Sequence, residues 1–360
     1  MNDERKRDIA GWAAFGLLAL TSAAQLLGGT FPYDFEVCWR GARDFVSGAN
    51  PYAARDLSYV YPPASLYLFA PLGLLPIELA GIVWGALCWC SAAFAAGGWA
   101  ARVGAPLTPG VAAAAALMFF PLYRALEPLN LGVVLLAALL FCAAPERAAR
   151  KPLEFAGAVV AGFLFAIKPA WLSVALPMLL LRRRGWGIAG MLVGVTSMVT
   201  LSVLRRDDWT SFVAGARRAV KSQWTFDLWT VSPWLGALAL AVWCALLLVV
   251  WRRGHEDAWL FALTAVVVWP RPVAYSYLVL LPLLFYLVPR MGKAGWGLAA
   301  LLSTPLGYLL TLDVQGGALL VDMGHTWRSA VTSGVLWLCA IAITAILFHR
   351  FTTTPEPSPR

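Results

Sequence analysis

Long apolar runs alternate along this chain with short clusters of arginine and lysine. The runs include residues 9–27, 77–100, 187–204, 233–251 and 329–348. The clusters are Arg147, Arg150 and Lys151; Arg182, Arg183 and Arg184; Arg252 and Arg253; and Arg290 with Lys293. A run of about twenty apolar residues crosses a bilayer as a helix, which satisfies its own backbone polar groups where no water is present. Lysine and arginine between such runs mark the cytoplasmic side, and Trp186, Trp251 and Trp296 sit beside the clusters, as interfacial tryptophans do. The pattern predicts an all-α polytopic membrane protein of about twelve transmembrane helices, with both termini cytoplasmic. Residues 1–350 form one transmembrane domain, and 351–360 form a disordered cytoplasmic tail.

Composition excludes the main soluble readings. Residues are 60% hydrophobic and only 13% charged, where a soluble domain carries about a quarter charged. The net charge of +9 would suit nucleic acid, but its arginines lie between apolar runs, so no nucleic-acid partner is expected. Arg5, Lys6 and Arg7 before the first run resemble a signal peptide. The run exceeds the roughly 7–15 residues of a signal h-region, which favours a retained first helix. Of six cysteines, only Cys38 lies in a long polar segment, so no disulfide framework is expected. Cys88 and Cys90 have no nearby histidine and read as packing residues. Asp207 and Asp208 invite a metal, yet Arg205 and Arg206 precede them. No metal or cofactor is predicted, and there is no P-loop, dinucleotide fingerprint or internal repeat.

The clusters set a topology. Helix one, 9–29, places 30–63 outside the cytoplasm. Residues 64–75 are too few to span comfortably and read as a re-entrant or tilted segment. Crossings at 77–100, 108–121 and 131–144 follow. Residues 152–181 go out and back as two short helices, turning at Lys168-Pro169 on the outer side. Residues 187–204 exit, 205–232 form a second external loop, and 233–251 return. A hairpin of 258–269 and 273–288 carries Arg271 at its outer tip. Residues 295–311 exit, 313–327 form the last external loop, and 329–348 return. The non-cytoplasmic polar residues thereby gather on one face: Asp34, Arg40, Arg43, Arg124, Glu127, Lys168, Arg271 and His325. Ionisable groups held near membrane depth are costly and mark function.

The first polar stretch, 31–63, carries apolar residues at Phe35, Cys38, Trp39, Ala42, Phe45 and Val46. That spacing predicts an amphipathic helix lying on the outer membrane surface. Asp34 reads as its N-cap, Gly48 as a left-handed C-cap and Pro51 as a stop. Pro62-Pro63 forces an extended backbone at Tyr61.

Asp34 and that helix, followed by GANPY at 48–52, YPP at 61–63 and PLGLLP at 71–76, resemble the opening of glycosyltransferase family 87. IKPAWLSVALPMLLLRRRGW at 167–186 and RPVAYSYLVLLP at 271–282 extend the similarity. Where the family often has Gly-Gln-x-Asn, this chain has Leu131-Gly132-Val133-Val134, with Asn130 and Glu127 as stand-ins. The resemblance implies a GT-C-like fold. It also implies an inverting transfer of a hexose, mannose in the typical member, from a polyprenyl-phosphate-linked sugar. The acceptor is a lipid or glycan on the extracytoplasmic face. Asp34 then matches the general base, and Lys168, Arg271 and Arg124 are the cations for the donor phosphate. Tyr52, Tyr61, Glu127, Asn130 and His325 would contact substrate. The competing class is a transporter or flippase for a lipid-linked sugar. It should show repeats and mid-membrane charges, whereas charges here collect at one face.

Overall fold

A computed structural model describes residues 3–53, 59–143, 151–205, 208–214, 228–269, 274–303 and 318–353. Among these residues the regular structure is all helical, with no strand. Its order begins α1 (Asp3–Leu27), α2 (Tyr33–Ser47), α3 (Ser65–Gly73), α4 (Ile77–Arg102) and α5 (Pro109–Leu117). Next come α6 (Phe120–Leu126), α7 (Gly132–Ala143), α8 (Lys151–Ile167), α9 (Leu172–Leu181) and α10 (Gly185–Leu204). After two short helical turns the chain continues as α11 (Pro233–Arg253), α12 (Leu281–Met291), α13 (Lys293–Ser303) and α14 (Ala318–Thr353).

Among the described residues five helices are long and apolar enough to cross a membrane: α1, α4, α10, α11 and the part of α14 from Gly334. A sixth span arises if α5 and α6, bent by 84°, count as one broken crossing. The other expected crossings are shorter apolar helices, at Gly132–Ala143, Pro169–Leu181, Ala258–Val268 and Ser276–Met291. The expected loop 313–327 is helical from Ala318 onward. Within 205–232, residues 208–214 and Leu228–Val231 are helical.

α4 is the hub, packing on α1, α2, α3, α5, α6, α7 and α12. It reads as a membrane helix yet buries Trp84, Cys88, Trp99 and a row of alanines, because small residues let neighbouring helices approach closely. The same device joins α8 to α10. A Cβ added at Gly162 would lie 2.3 Å from the Met191 carbonyl oxygen, and one at Gly194 would lie 2.0 Å from that of Val159.

Residues Ala258–Val268 form a 3₁₀ helix instead of the expected α-helix, and all but one of its side chains are buried. A segment apolar on every side has no solvent face and belongs in the centre of a bundle. The 3₁₀ rise of about 2 Å per residue carries its 11 residues about 22 Å, against about 17 Å as an α-helix. Thr264 Oγ1 accepts from Trp243 Nε1 at 3.0 Å and donates to the Phe261 carbonyl.

α2 and α3 form a tight helical hairpin beside the N-terminal end of α4. A Cβ at Gly73 would stand 2.6 Å from the backbone of Ala42, so only glycine allows the two backbones to meet. Trp39 Nε1 closes the hairpin by donating to the Leu75 carbonyl at 3.1 Å.

Candidate active site

Asp34 is not the N-cap of α2. The helix starts two residues before the expected Phe35, at Tyr33, and Pro32 occupies the cap without any side-chain bond. The Phe35 amide, which an N-cap side chain would otherwise serve, donates instead to the Pro128 carbonyl at 3.2 Å. With that donor taken, the half-buried Asp34 carboxylate accepts a hydrogen bond from Asn130 Nδ2. It still stands in the first turn, where the helix dipole favours negative charge. The expected stop of the helix holds: Gly48 is left-handed at φ 78° and caps α2.

Asn130 reaches Asp34 through the way α6 ends. The Asn130 amide donates to the Ala125 carbonyl and the Leu129 amide to that of Leu126, the paired bonds of a Schellman motif. That motif needs a left-handed residue, usually glycine, and here it is Leu129 at φ 53°. A leucine in that region is strained by about 1–2 kcal/mol. Two groups hold it there. Trp84 Nε1 donates to the Leu129 carbonyl at 2.8 Å, and the Leu129 side chain is buried. Strain of this kind tends to persist at functional sites, where surrounding structure overdetermines it.

Lys168 arrives from the other side. Pro169 disfavours the helical region at the residue before it, and Lys168 has φ −123° and ψ 84°. The chain turns there, and Lys168 Nζ donates to Asn130 Oδ1 at 2.6 Å. The Gly132 amide donates to the same oxygen at 2.7 Å. Asn130 is 1% exposed, and its amide has a single consistent orientation. The oxygen faces two donors and the nitrogen faces a carboxylate that only accepts. One buried amide thus ties together an acid from α2 and a cation from the turn between α8 and α9.

Cys38 and Cys88 are both buried and close enough to interact electrostatically with Lys168. Burial pushes the Cys38 thiol well above its ordinary range, so it is a small apolar floor and not a nucleophile. Trp171, stacked on Phe165 at 6.4 Å, stands beside Gly132 and Asn130.

The remaining candidates divide. Tyr61 lies with its ring 5.7 Å from Lys168 Nζ, within cation–π range. Tyr52 is 2% exposed and its hydroxyl donates to the Tyr61 carbonyl at 2.9 Å. Tyr59 is fully buried between them, its hydroxyl bonded to Ser65 at 2.6 Å. These tyrosines form a packed wall, and Tyr52 has no open face. Arg124 and Glu127 pair with each other on neighbouring turns at the end of α6, both partly exposed. Arg271 lies outside the described residues. His325 falls within α14, not in a loop. Among the described residues no cluster of histidine, cysteine, aspartate and glutamate could hold a metal.

The sequence signal for Asn130 as a link was its type and place. It is a lone amide between two apolar helices, where an unpaired polar group would be costly to bury.

The sequence profile of glycosyltransferase family 87 matches residues 59–276. No curated protein and no solved structure matches the chain.

Proposed function

The chain belongs to glycosyltransferase family 87, and from that premise we propose an inverting sugar transfer centred on Asp34, Asn130 and Lys168. As a family member with several apolar helices, the protein is a multi-pass membrane glycosyltransferase. The proposed donor is a polyprenyl-phosphate-linked hexose, mannose, and the acceptor a lipid or glycan on the extracytoplasmic face.

The observation that carries this reading is the joining of a carboxylate and an ammonium through one amide. The transfer needs a base for the acceptor hydroxyl and a cation for the departing phosphate, held a sugar ring apart. Asp34 takes the proton of the acceptor hydroxyl as the acceptor oxygen attacks the anomeric carbon. The bond from that carbon to the phosphate oxygen breaks, and Lys168 meets the negative charge left on polyprenyl phosphate. Arg271 and Arg124 complete the phosphate contacts, and Tyr61, Glu127 and His325 bound the substrate space. Asn130 holds the two reacting charges at fixed separation before substrate arrives.

The expected orientation supports the same face for all of these groups. The topology expected from the basic clusters puts α2 and the turn at Lys168 on the outer side. The test is transfer of labelled hexose from a polyprenyl-phosphate donor by protein purified into lipid, with products identified by mass spectrometry. Label appearing on an acceptor supports the assignment. Label that crosses the bilayer still attached to its carrier would overturn it in favour of transport.

A further inference from the structure

The opposite end of the bundle carries a second concentration of charge, independent of the proposed reaction. α4 runs from Trp84, which holds the Leu129 turn beside Asn130, to Arg102, about 27 Å away at 1.5 Å per residue. α7 and α8 run the same way, from Asn130 and Lys168 to Cys142 and Glu154.

At that end the arginines are folded inward. The Arg102 and Arg182 guanidinium carbons lie 5.5 and 5.6 Å from the centroid of one ring, Trp259. Arg290 and Arg350 lie 4.0 and 5.4 Å from the ring of Tyr286. Arg290 also donates to the Val103 carbonyl at 3.3 Å, which joins the two groups. Arg184 is balanced by Glu154 at 2.8 Å, both buried. Arg102 and Arg182 share the attraction of one carboxylate, Asp257, and repel each other and Arg184.

Topology alone does not ask for this arrangement. Arginines that only mark the cytoplasmic side stay solvated, as Arg252 and Arg253 do. Here Arg102 Nε and Arg350 Nε are buried without a hydrogen-bond partner among the described residues. Buried charged donors with no acceptor, set among like charges, favour an anion with several oxygens.

We propose that this arginine cluster around Trp259 and Tyr286 is a binding site for the phosphate headgroup of an anionic membrane lipid. Basic pockets between transmembrane helices suit such headgroups. The site sits at helix ends, where a headgroup resides, and the planar guanidinium matches phosphate oxygens in pairs. A bound lipid would fasten α4, α9 and α14 together.

Native mass spectrometry tests this on the whole protein, released from vesicles of phosphatidylglycerol or of phosphatidylcholine. The expected result is a retained phosphatidylglycerol that survives the release, with no retained phosphatidylcholine. Arg102→Gln with Arg182→Gln should weaken that retention about thirtyfold, at about one factor of five per arginine. Arg252→Gln with Arg253→Gln removes the same charge from exposed positions and should leave it unchanged. Equal loss in both pairs, or equal retention of the two lipids, overturns the proposal in favour of diffuse surface attraction. Inorganic phosphate is the second probe. If it displaces the lipid at millimolar concentration, the site takes free phosphate and the lipid assignment fails. Should the Arg102/Arg182 variant not fold, the two-lipid comparison on unaltered protein decides alone.

Discussion

A carboxylate in the first turn of a helix can serve the helix's own amides or a partner elsewhere, and at Asp34 the Pro128 carbonyl removes the first option. Asp34→Asn should therefore leave thermal stability nearly unchanged. If Asp34 is the base, turnover should fall about 100-fold or more, the worth of a positioned proton acceptor. Full activity in the Asp34→Asn enzyme would remove the main support for the assignment. Asn130 separates structure from chemistry less cleanly, because its amide serves three partners at once. Asn130→Ala should cost about 1–3 kcal/mol of stability by leaving buried groups unpaired, and should reduce transfer as well. Unfolding midpoints measured beside transfer rates would show both losses. Lys168→Met keeps the length of the side chain and removes its charge. It should weaken use of the phosphate donor by about 2 kcal/mol, or about thirtyfold in kcat/KM. Unaltered donor kinetics would return Lys168 to a merely structural role.

Elements meet at the site because each ends in an irregular way. α6 ends on a left-handed leucine, α8 on a proline-directed turn, and α2 begins on a proline with no side-chain cap. The amphipathic spacing from Phe35 onward was legible, since that period is a local property. So was the stop at Gly48. The start of α2 was misplaced by two residues because the partner that satisfies the Phe35 amide lies in a different part of the chain. The α2–α3 hairpin depends on Gly73, where any side chain would meet the backbone of Ala42. Gly73→Val should destabilise the protein by about 1–3 kcal/mol or more through forced separation of the two helices. Thermal unfolding in lipid checks this, with Gly104→Val as a comparison of a different kind. Gly104 has open space around it but a φ of 65°, so its cost would be conformational and not steric.

For the whole molecule, the short helices carry the main lesson. From Lys168 to Arg182, and from Lys168 back to Glu154, the chain advances about 20 Å, against a hydrocarbon core of about 30 Å. If the arginine end lies at one membrane surface, the Asp34 site is sunk below the other. That depth suits the proposed donor, whose polyprenyl chain would stay in lipid while its phosphate meets Lys168. The proposed orientation predicts that a cysteine at position 168 or 127 reacts with a reagent from outside the cell, and one at 183 does not. Labelling at 183 from outside would reverse the bundle. What the sequence determined by itself was the membrane class, the all-helical architecture and the family, because hydropathy, charge bias and short motifs are carried along the chain. It also supplied Asp34, Asn130 and Lys168 as separate candidates. Their union was decided only by tertiary structure. Hydrogen bonds that span 96 and 38 positions depend on which helix ends meet, and the folding of Arg102 and Arg182 onto one tryptophan depends on the same packing. A run of apolar residues specifies that a segment enters the bilayer. Close contact between glycines, a strained leucine and buried amides specifies where its polar ends come to rest.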